Sequence, residues 1–224
     1  MSNRNPECGP CLRYIRGVRY SSKMRVWILI AGLALASGCR KQEKLVAPDV
    51  FRVKFETSKG DMTVEVRRAW SPHGADRFYE LVRMRYFDEG RFFRVIEGFI
   101  AQFGVHKKFD VHDRWRNYFI LDDPPKQKNT YGTLSFAKST PNTRAVEMFI
   151  NLKDNSQLDD QGFVPFARIV EGIEVVGQLY AGYGEMRPEG KYIDAGRVEG
   201  EANEYLVPRF PKLDYIKRAR VVGE

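Results

Sequence analysis

A short apolar segment that contains an arginine and a glutamine constrains this chain more than any other part of its sequence. From Phe92 to Gln102 most residues are aromatic or aliphatic, and Gly98 divides them into two predicted strands. Alternation along the second strand places Ile100 and Gln102 on one face. Burying Arg94 without a partner in such a segment would cost several kcal/mol. Arg94 therefore either reaches water over a neighbouring aromatic ring or serves a function.

Alternating hydrophobic residues before this segment predict an antiparallel hairpin. Apolar side chains occupy every second position from Phe51 to Phe55 and again from Met62 to Val66. The intervening residues 58–61 include Gly60 and have the composition of a tight turn. The hairpin is therefore predicted to turn one face towards a hydrophobic core.

Two helices are predicted among the strands. The pair Ser71-Pro72 favours a helix start, with the serine as the capping residue and the proline at the first helical position. Apolar residues at helical spacing predict a second helix over residues 175–180. Many short strands with two helices favour a mainly β fold, a closed antiparallel barrel of about eight strands capped at its ends. Residues 216–222 are predicted to close this barrel.

The segment 106–123 is charged and lacks a clear period, and it is predicted to be a surface loop. Four of its side chains are candidate metal ligands, but their spacing fits no standard site: His106, Asp110, His112 and Asp113. No Gly-x-Ser-x-Gly motif or other nucleophile context occurs, which argues against a hydrolase. We therefore expect neither a metal nor a cofactor.

The net charge of +8 over 224 residues is concentrated near the start of the chain. Residues 1–38 contain six basic side chains and one acidic one, and the remainder has 31 basic against 28 acidic side chains. No basic stripe with interleaved aromatic residues remains after residue 38. The sequence therefore argues against nucleic-acid binding.

The first 38 residues have the pattern of a targeting signal rather than of a folded element. Met24 and Arg25 precede an apolar run over residues 26–36, which is shorter than the roughly 20 residues of a membrane-spanning helix. The following Ser37-Gly38-Cys39 resembles a bacterial lipobox, in which the cysteine becomes the lipidated first residue. We therefore predict a start at Met24 and a lipid anchor at Cys39. A plain signal peptide and an uncleaved anchor are the alternatives.

The residues from Cys39 onwards divide into a tether over 39–48 and one domain over 49–224. Arg40 stands where aspartate often marks retention in the inner membrane, so we predict an outer-membrane lipoprotein that faces the periplasm. Cys8 and Cys11 form a Cys-x-x-Cys pair, but no strand-helix pattern surrounds them. This context argues against a redox site.

Four motifs follow the segment Phe92–Gln102 in order, and together they resemble the cyclophilin family of peptidyl-prolyl cis-trans isomerases. They are Leu134–Ala137, Pro141–Thr143, Met148–Asn151 and Gly162–Phe166. The resemblance covers residues 50–170 well and leaves an insertion at about 181–212. It implies a cyclophilin-like barrel, a monomer, isomerase activity without a cofactor, and proline-containing polypeptides as substrates.

The resemblance also implies a set of site residues. Arg94 matches the catalytic arginine, and Gln102 matches the glutamine that binds the substrate backbone. Five residues match the proline pocket and three flank the bound peptide: Phe99, Ile100, Phe149, Leu158 and Phe163, and Ala137, Lys138 and Ser139. Glu147 stands where the family usually has glutamine, and Lys138 where it often has asparagine. Glu147 is predicted to contact the substrate region and to pair with either Arg94 or Lys138.

The implied reaction needs few catalytic groups. Rotation about an X–Pro bond faces a barrier of about 18–20 kcal/mol, because the resonance of a planar amide must be broken. No covalent bond is made or cut. A catalyst needs an apolar slot for the proline ring, a donor for the pyramidal nitrogen and anchors for the flanking backbone. Arg94 suits the donor role because its guanidinium stays charged and has several fixed N–H groups.

Three functions follow from these patterns. The first is a folding catalyst that isomerises X–Pro bonds in exported proteins. The second is a non-catalytic chaperone that binds proline-containing peptides in the same groove, which the charges of Glu147 and Lys138 motivate. The third is a structural envelope lipoprotein, which leaves Arg94 and Gln102 without a role.

Overall fold

The computed structural model describes residues 45–187 and 192–223. The predicted signal segment, Cys39 and most of the tether lie outside these residues. Within them, none of the helices combines the length and the apolar character needed to cross a membrane.

Eight antiparallel strands form a single sheet in the part of the chain that the structure describes. They are β1 Val50–Thr57, β2 Gly60–Arg67, β3 Arg94–Ile96, β4 Ile100–Phe103, β5 Thr133–Phe136, β6 Met148–Asn151, β7 Pro165–Glu171 and β8 Ile216–Val222. Their order across the sheet is β3-β4-β6-β5-β7-β2-β1-β8. The prediction of a mainly β antiparallel fold is confirmed.

The sheet is a curled half-barrel, so the prediction of full closure needs correction. Strands β3 and β8 end the ladder, and an isolated bridge between Arg91 and Tyr215 joins the chain segments beside them. Two backbone hydrogen bonds support this bridge, from Phe92 N to Asp214 O at 3.0 Å and from Ile216 N to Gly90 O at 2.9 Å. The bridge is antiparallel, so residues after Arg91 face residues before Tyr215; β3 and β8 each follow their bridge residue and therefore run apart instead of forming a ladder.

The predicted hairpin is present as β1 and β2. Val53 pairs with Val64 and Phe55 with Met62, and all four side chains are buried. Gly60 has φ +133°, a backbone conformation that other residues rarely adopt, and it allows the tight return between the strands. The inward face of the hairpin therefore forms one wall of the main hydrophobic core.

Within residues 45–187 and 192–223, five α-helices and one 3₁₀ helix accompany the sheet. The α-helices are α1 Pro72–Arg83, α2 Phe109–Arg116, α3 Ser156–Asp160, α4 Ala195–Glu201 and α5 Asn203–Arg209. Helix α1 is where the sequence predicts it. The second predicted helix is wrong: residues Ile173–Gln178 form a 3₁₀ helix. This segment follows Gly172 in a left-handed conformation and contains two β-branched valines, so only a short turn forms.

The start of α1 is capped by a residue distant in sequence. The predicted cap from Ser71 is wrong, because its hydroxyl donates to Asp123 Oδ2 at 2.5 Å instead of to the helix. The Asp123 carboxylate accepts the backbone N–H groups of His73 and Gly74, both at 3.1 Å. Arg144, which is 1% exposed, donates to the same carboxylate at 2.9 Å. The buried Asp123 therefore satisfies the helix terminus and neutralises a buried arginine.

The segment 106–123 contains helix α2, so the prediction of a loop is wrong for its central part. His112 is fully buried and forms hydrogen bonds with Tyr86 and Glu199. Asp110 and Asp113 pair with arginines of the same helix. No group of three or more His, Cys, Asp or Glu side chains is placed to hold a metal ion in the described ranges.

The predicted insertion, residues 181–212, contains α4 and α5 and has its own apolar core. Its side chains pack together and against Phe93 and Val105 of the sheet region. The members of this insertion core from the segment itself are Ile193, Val198, Ala202, Tyr205, Leu206 and Phe210. The insertion is therefore packed beside strands β3 and β4.

Candidate active site

Strands β3, β4 and β6 align the predicted polar residues side by side. Arg94 lies opposite Gln102 in the β3–β4 pair, and Gln102 lies opposite Phe149 in the β4–β6 pair. Arg94 Nη1 donates to Gln102 Oε1 at 3.1 Å. Because side chains directly opposite in antiparallel strands are neighbours, strand register is what brings these two residues together.

The predicted proline-pocket residues form a small apolar cluster separate from the main core. Ile100, Phe149 and Leu158 are its buried members, and Phe99, Ala137 and Phe163 are partly buried against them. The rings of Phe149 and Phe163 meet edge to face with centroids 5.6 Å apart. The structure therefore brings together all five residues of the predicted proline pocket, with Ala137 beside them.

Phe99 joins this cluster although strand alternation predicts the face opposite Ile100. Phe99 lies in the turn before β4, and its backbone N–H donates to Ile96 O at 3.0 Å. Alternation applies only within the extended strand, which begins at Ile100. The turn therefore places two consecutive side chains in the same cluster.

Buried asparagines hold the pocket backbone, and sequence reasoning missed them. Asn155 Nδ2 donates to Phe99 O at 2.9 Å, and Asn129 Nδ2 donates to Phe163 O at 2.7 Å. Asn151 connects the other two through amide hydrogen bonds of 2.8 and 3.1 Å. The signal in the sequence is asparagine at or near strand ends, since a buried amide requires partners.

A second predicted group lines an open cavity of about 400 Å³ next to Gln102. Its predicted members are Gln102, Ala137, Lys138, Ser139 and Glu147, and its further lining residues are Arg116, Phe119, Thr143, Ala145, Val146 and Glu199. Ser139 is exposed at the rim, whereas Gln102 is buried. The cavity therefore extends the site beyond the apolar cluster.

Glu147 pairs with neither predicted partner. Its carboxylate accepts from Gln102 Nε2 at 2.6 Å, while Lys138 Nζ lies 2.9 Å from Asp122. The Gln102 amide lies between the two charged side chains, because it accepts from Arg94 and donates to Glu147. The prediction of a direct pair with Arg94 or Lys138 is therefore wrong.

Two carboxyl groups meet at the floor of this cavity. Burial raises the pKa of Glu147 well above its usual value, and its hydrogen bond with Glu199 raises it further. Burial alone would also raise the pKa of Glu199, but hydrogen bonds from His112 and Glu147 outweigh it and lower the pKa. The pair therefore favours a proton on Glu147 and a negative charge on Glu199.

Arg94 has a further partner that sequence reasoning did not identify. Glu185 accepts from Arg94 Nε at 2.5 Å and from Nη2 at 2.7 Å. The hydrogen bond from Arg94 lowers the pKa of Glu185, so this carboxyl group is held ionised. Glu185 belongs to the insertion, 91 residues beyond Arg94, and no local pattern indicates the contact.

These features define the family of the protein. A sequence model for the family described as cyclophilin type peptidyl-prolyl cis-trans isomerase matches residues 52–194. The chain belongs to this family and is an isomerase of the cyclophilin type. The matched region contains every predicted site residue of the domain and Glu185.

Individual relatives agree with this assignment. The chain is 33% identical over 130 residues to peptidyl-prolyl cis-trans isomerase CYP18-2 of Arabidopsis thaliana. The aligned region covers 57% of this chain and 79% of the relative. It is 27% identical over 135 residues to peptidyl-prolyl cis-trans isomerase B of Escherichia coli K12, covering 57% and 82% of the two chains.

A crystal structure of a cyclophilin type isomerase from Cryptosporidium parvum has the same fold. It is 22% identical in sequence, has a TM-score of 0.56 and covers 78% of this chain and 99% of its own. A structure of that protein in the presence of the dipeptide Ala-Pro gives a TM-score of 0.55, with 22% identity and coverage of 77% and 99%. The cyclophilin-like fold predicted from the motifs is therefore confirmed.

Proposed function

We propose that this isomerase accelerates X–Pro rotation by holding the proline ring in the apolar cluster and donating from Arg94 to the prolyl nitrogen. The cluster of Ile100, Phe149 and Leu158 is apolar and adjoins the strands that carry Arg94 and Gln102. As the amide twists, its nitrogen gains a lone pair that an N–H group stabilises. Gln102 is suited to bind the substrate backbone.

The observation that carries this proposal is the fixed guanidinium beside an apolar pocket. The Arg94 side chain is 18% exposed, so it is reachable from the groove and partly shielded from water. A charged donor in a partly dry site interacts more strongly with developing charge than it does in bulk water. Equal stabilisation of the planar substrate and the twisted transition state would give no acceleration. A donor that acts on the twisted nitrogen stabilises the transition state alone and therefore lowers the barrier.

The direct test is NMR exchange spectroscopy on a short peptide with one X–Pro bond and catalytic amounts of the protein. Uncatalysed exchange takes tens to hundreds of seconds, so catalysis produces exchange cross-peaks that are absent from the peptide alone. Binding of the peptide without accelerated exchange would contradict the proposal and favour a proline-peptide receptor.

We further propose that the substrates are exported proline-containing polypeptides and that the protein acts as a monomer on a lipid anchor. The apolar run 26–36, the small residues before Cys39 and the charged tether support this location. The crystal structure of the Cryptosporidium parvum protein in the presence of the dipeptide Ala-Pro supports proline-containing peptides as ligands. If this proposal is correct, folding of periplasmic proteins that is limited by X–Pro isomerisation slows in a strain that lacks the protein. Cytoplasmic localisation by fractionation contradicts it.

A further inference from the structure

We infer that Glu185, in the insertion, is a positioning residue that fixes the orientation of the Arg94 guanidinium. This inference rests on the proposed role of Arg94 in isomerisation. If Glu185 has this role, the insertion contributes a residue to the active site and is not only an addition to the half-barrel.

The geometry is a side-on bidentate ion pair. The two oxygens of Glu185 accept from Nε and Nη2 of Arg94 at 2.5 and 2.7 Å. Gln102 accepts from the remaining terminal nitrogen, Nη1, at 3.1 Å. Contacts from two sides of a planar group define both its position and its plane. The arginine is therefore held by the sheet through Gln102 and by the insertion through Glu185.

These contacts leave donors for a substrate. A guanidinium has five N–H groups, and the described residues Glu185 and Gln102 accept three of them. The two that remain lie on Nη1 and Nη2, the terminal nitrogens. A carboxylate that blocked the arginine would cover those terminal groups, whereas Glu185 takes the edge that contains Nε. The arrangement therefore favours positioning over inhibition.

The segment around Glu185 is itself fixed. Glu185 Oε1 accepts the backbone N–H of Met186 at 3.1 Å, and Gly184 N donates to Ala181 O at 2.9 Å in a turn. Tyr183 and Met186 pack on the insertion core, and the ring of Tyr183 lies 5.0 Å from that of Phe210. Arg187 N donates to Ile193 O at 2.9 Å. Glu185 is therefore supported on both sides by packed residues.

A continuous chain of polar contacts starts and ends in the insertion. It runs from Glu185 to Arg94, to Gln102, to Glu147 and to Glu199 of helix α4. Both ends of the chain are acidic residues of the insertion, and the three middle residues come from the sheet and the residue preceding β6. The insertion thus contacts this chain at two points, Glu185 with Arg94 and Glu199 with Glu147. The contact of Glu185 is the one made with the proposed donor.

The test compares Glu185→Ala and Glu185→Gln with a matched control, Glu201→Ala. Glu201 has the same side-on geometry towards Arg197, at 2.6 and 2.8 Å, in the same insertion. Its side chain is 42% exposed and that of Glu185 is 45% exposed. We expect Glu185→Ala to lower kcat about tenfold to a hundredfold, the range that misplacement of a catalytic group by about 1 Å produces. Glu185→Gln keeps one acceptor and should lose less, and Glu201→Ala should match the wild type.

Two readouts separate positioning from general damage. In the Arg94→Lys background, Glu185→Ala should cause little further loss, because an ammonium has no fork to orient. The Arg94 Nε–H NMR signal should exchange slowly with water in the wild type and faster in Glu185→Ala, and this measurement does not depend on turnover. Unchanged or faster catalysis, a full further loss in the Arg94→Lys background, or an unaltered Nε–H exchange rate each overturns the inference. A wild-type protein without isomerase activity overturns the proposed function instead, while the NMR comparison still reports whether Glu185 holds the arginine.

Discussion

Arg94 is the residue on which the proposed chemistry depends most directly. We expect Arg94→Ala to reduce isomerase activity roughly 100- to 1,000-fold, because removing one preorganised transition-state donor costs about 2.7–4 kcal/mol. Arg94→Lys should also be poorly active, since an ammonium does not reproduce the fork of N–H groups. The measurement is exchange NMR on an X–Pro peptide, with circular dichroism to establish folding. Wild-type turnover by a folded Arg94→Ala protein would contradict the mechanism.

Glu147 has a different expected behaviour. Glutamine at this position can accept from Gln102 and donate to Glu199, which reproduces the bonds of a protonated Glu147. We therefore expect Glu147→Gln to keep or raise isomerase activity at neutral pH. A large loss of activity in a folded variant would show that the negative charge itself is needed.

The same substitution should change how stability depends on pH. The pKa of Glu147 is raised in the folded protein, so the folded state binds more protons than the unfolded state above the usual glutamate pKa. The free energy of unfolding contributed by this group is therefore highest below that value and falls as pH rises through the raised pKa. Glu147→Gln should flatten this fall and be the more stable protein at neutral pH. Thermal unfolding at several pH values measures the difference, and parallel curves for the two proteins would contradict it.

Individual site residues differ in how far the sequence predicts them. Arg94, Gln102 and the apolar pocket residues lie in ordered motifs at characteristic spacing, and local strand register brings them together. Glu185 and Glu199 lie in helices and turns of the insertion, where their neighbours have no repeating pattern. Their partners are decided by how the insertion packs on the sheet, which is a long-range property.

At the scale of elements, the buried contact that caps α1 has the clearest consequence for stability. Asp123→Asn removes one of the two carboxylates that face the buried Arg144, and the other, Asp122, stays 3.2 Å from Arg144 Nε. Leaving a buried charge without a partner costs about 3–5 kcal/mol, and because Asp122 still pairs with Arg144 we expect the loss in the free energy of unfolding to stay below this range. Urea denaturation measures it, with Asp110→Asn as the control because the Asp110–Arg114 pair is exposed. Equal midpoints for both variants would contradict the expectation.

Acid should act on the same contact. Burial alone would raise the pKa of Asp123, but hydrogen bonds from Ser71, the His73 N–H and Arg144 outweigh it and lower the pKa. The stability that Asp123 contributes is therefore present above the usual aspartate pKa and is lost as pH falls through the lowered value. Asp123→Asn should lack this part of the acid response, which a pH series of the same urea experiment reveals.

The elements that the sequence predicts well have a strong local period. The apolar residues that alternate in the β1–β2 hairpin and repeat in α1 extend over a full element, and they are buried. Helix α2 has mostly charged and aromatic residues and buries only His112 fully, so its period is weak. The cap of α1 comes from about 50 residues away, and local chemistry suggested the neighbouring serine instead.

At the scale of the whole molecule, the testable property is its attachment to a membrane. Each buried acyl CH₂ contributes about 0.8 kcal/mol, so a multiply acylated Cys39 should hold the domain on the membrane through its tether. We expect Cys39→Ser either to release an active domain into the periplasm or to leave an uncleaved precursor. Mass spectrometry of the mature N-terminus measures this directly. An unacylated residue at position 39 would exclude the anchor, and a peptide from residues 1–23 would contradict the start at Met24.

The pairing of β1 with β8 constrains the order in which this protein acquires its structure. Arg52 pairs with Val222 and Thr57 with Ile216, so paired residues of the two strands are 159 to 170 positions apart in the sequence. Until β8 has emerged, β1 has one partner only and presents an unpaired edge to other chains. Pairings this distant in sequence also slow folding, because a large loop must close first. The sheet is therefore complete only once residues 216–222 have been made, and until then one side of β1 stays open to pairing with another strand.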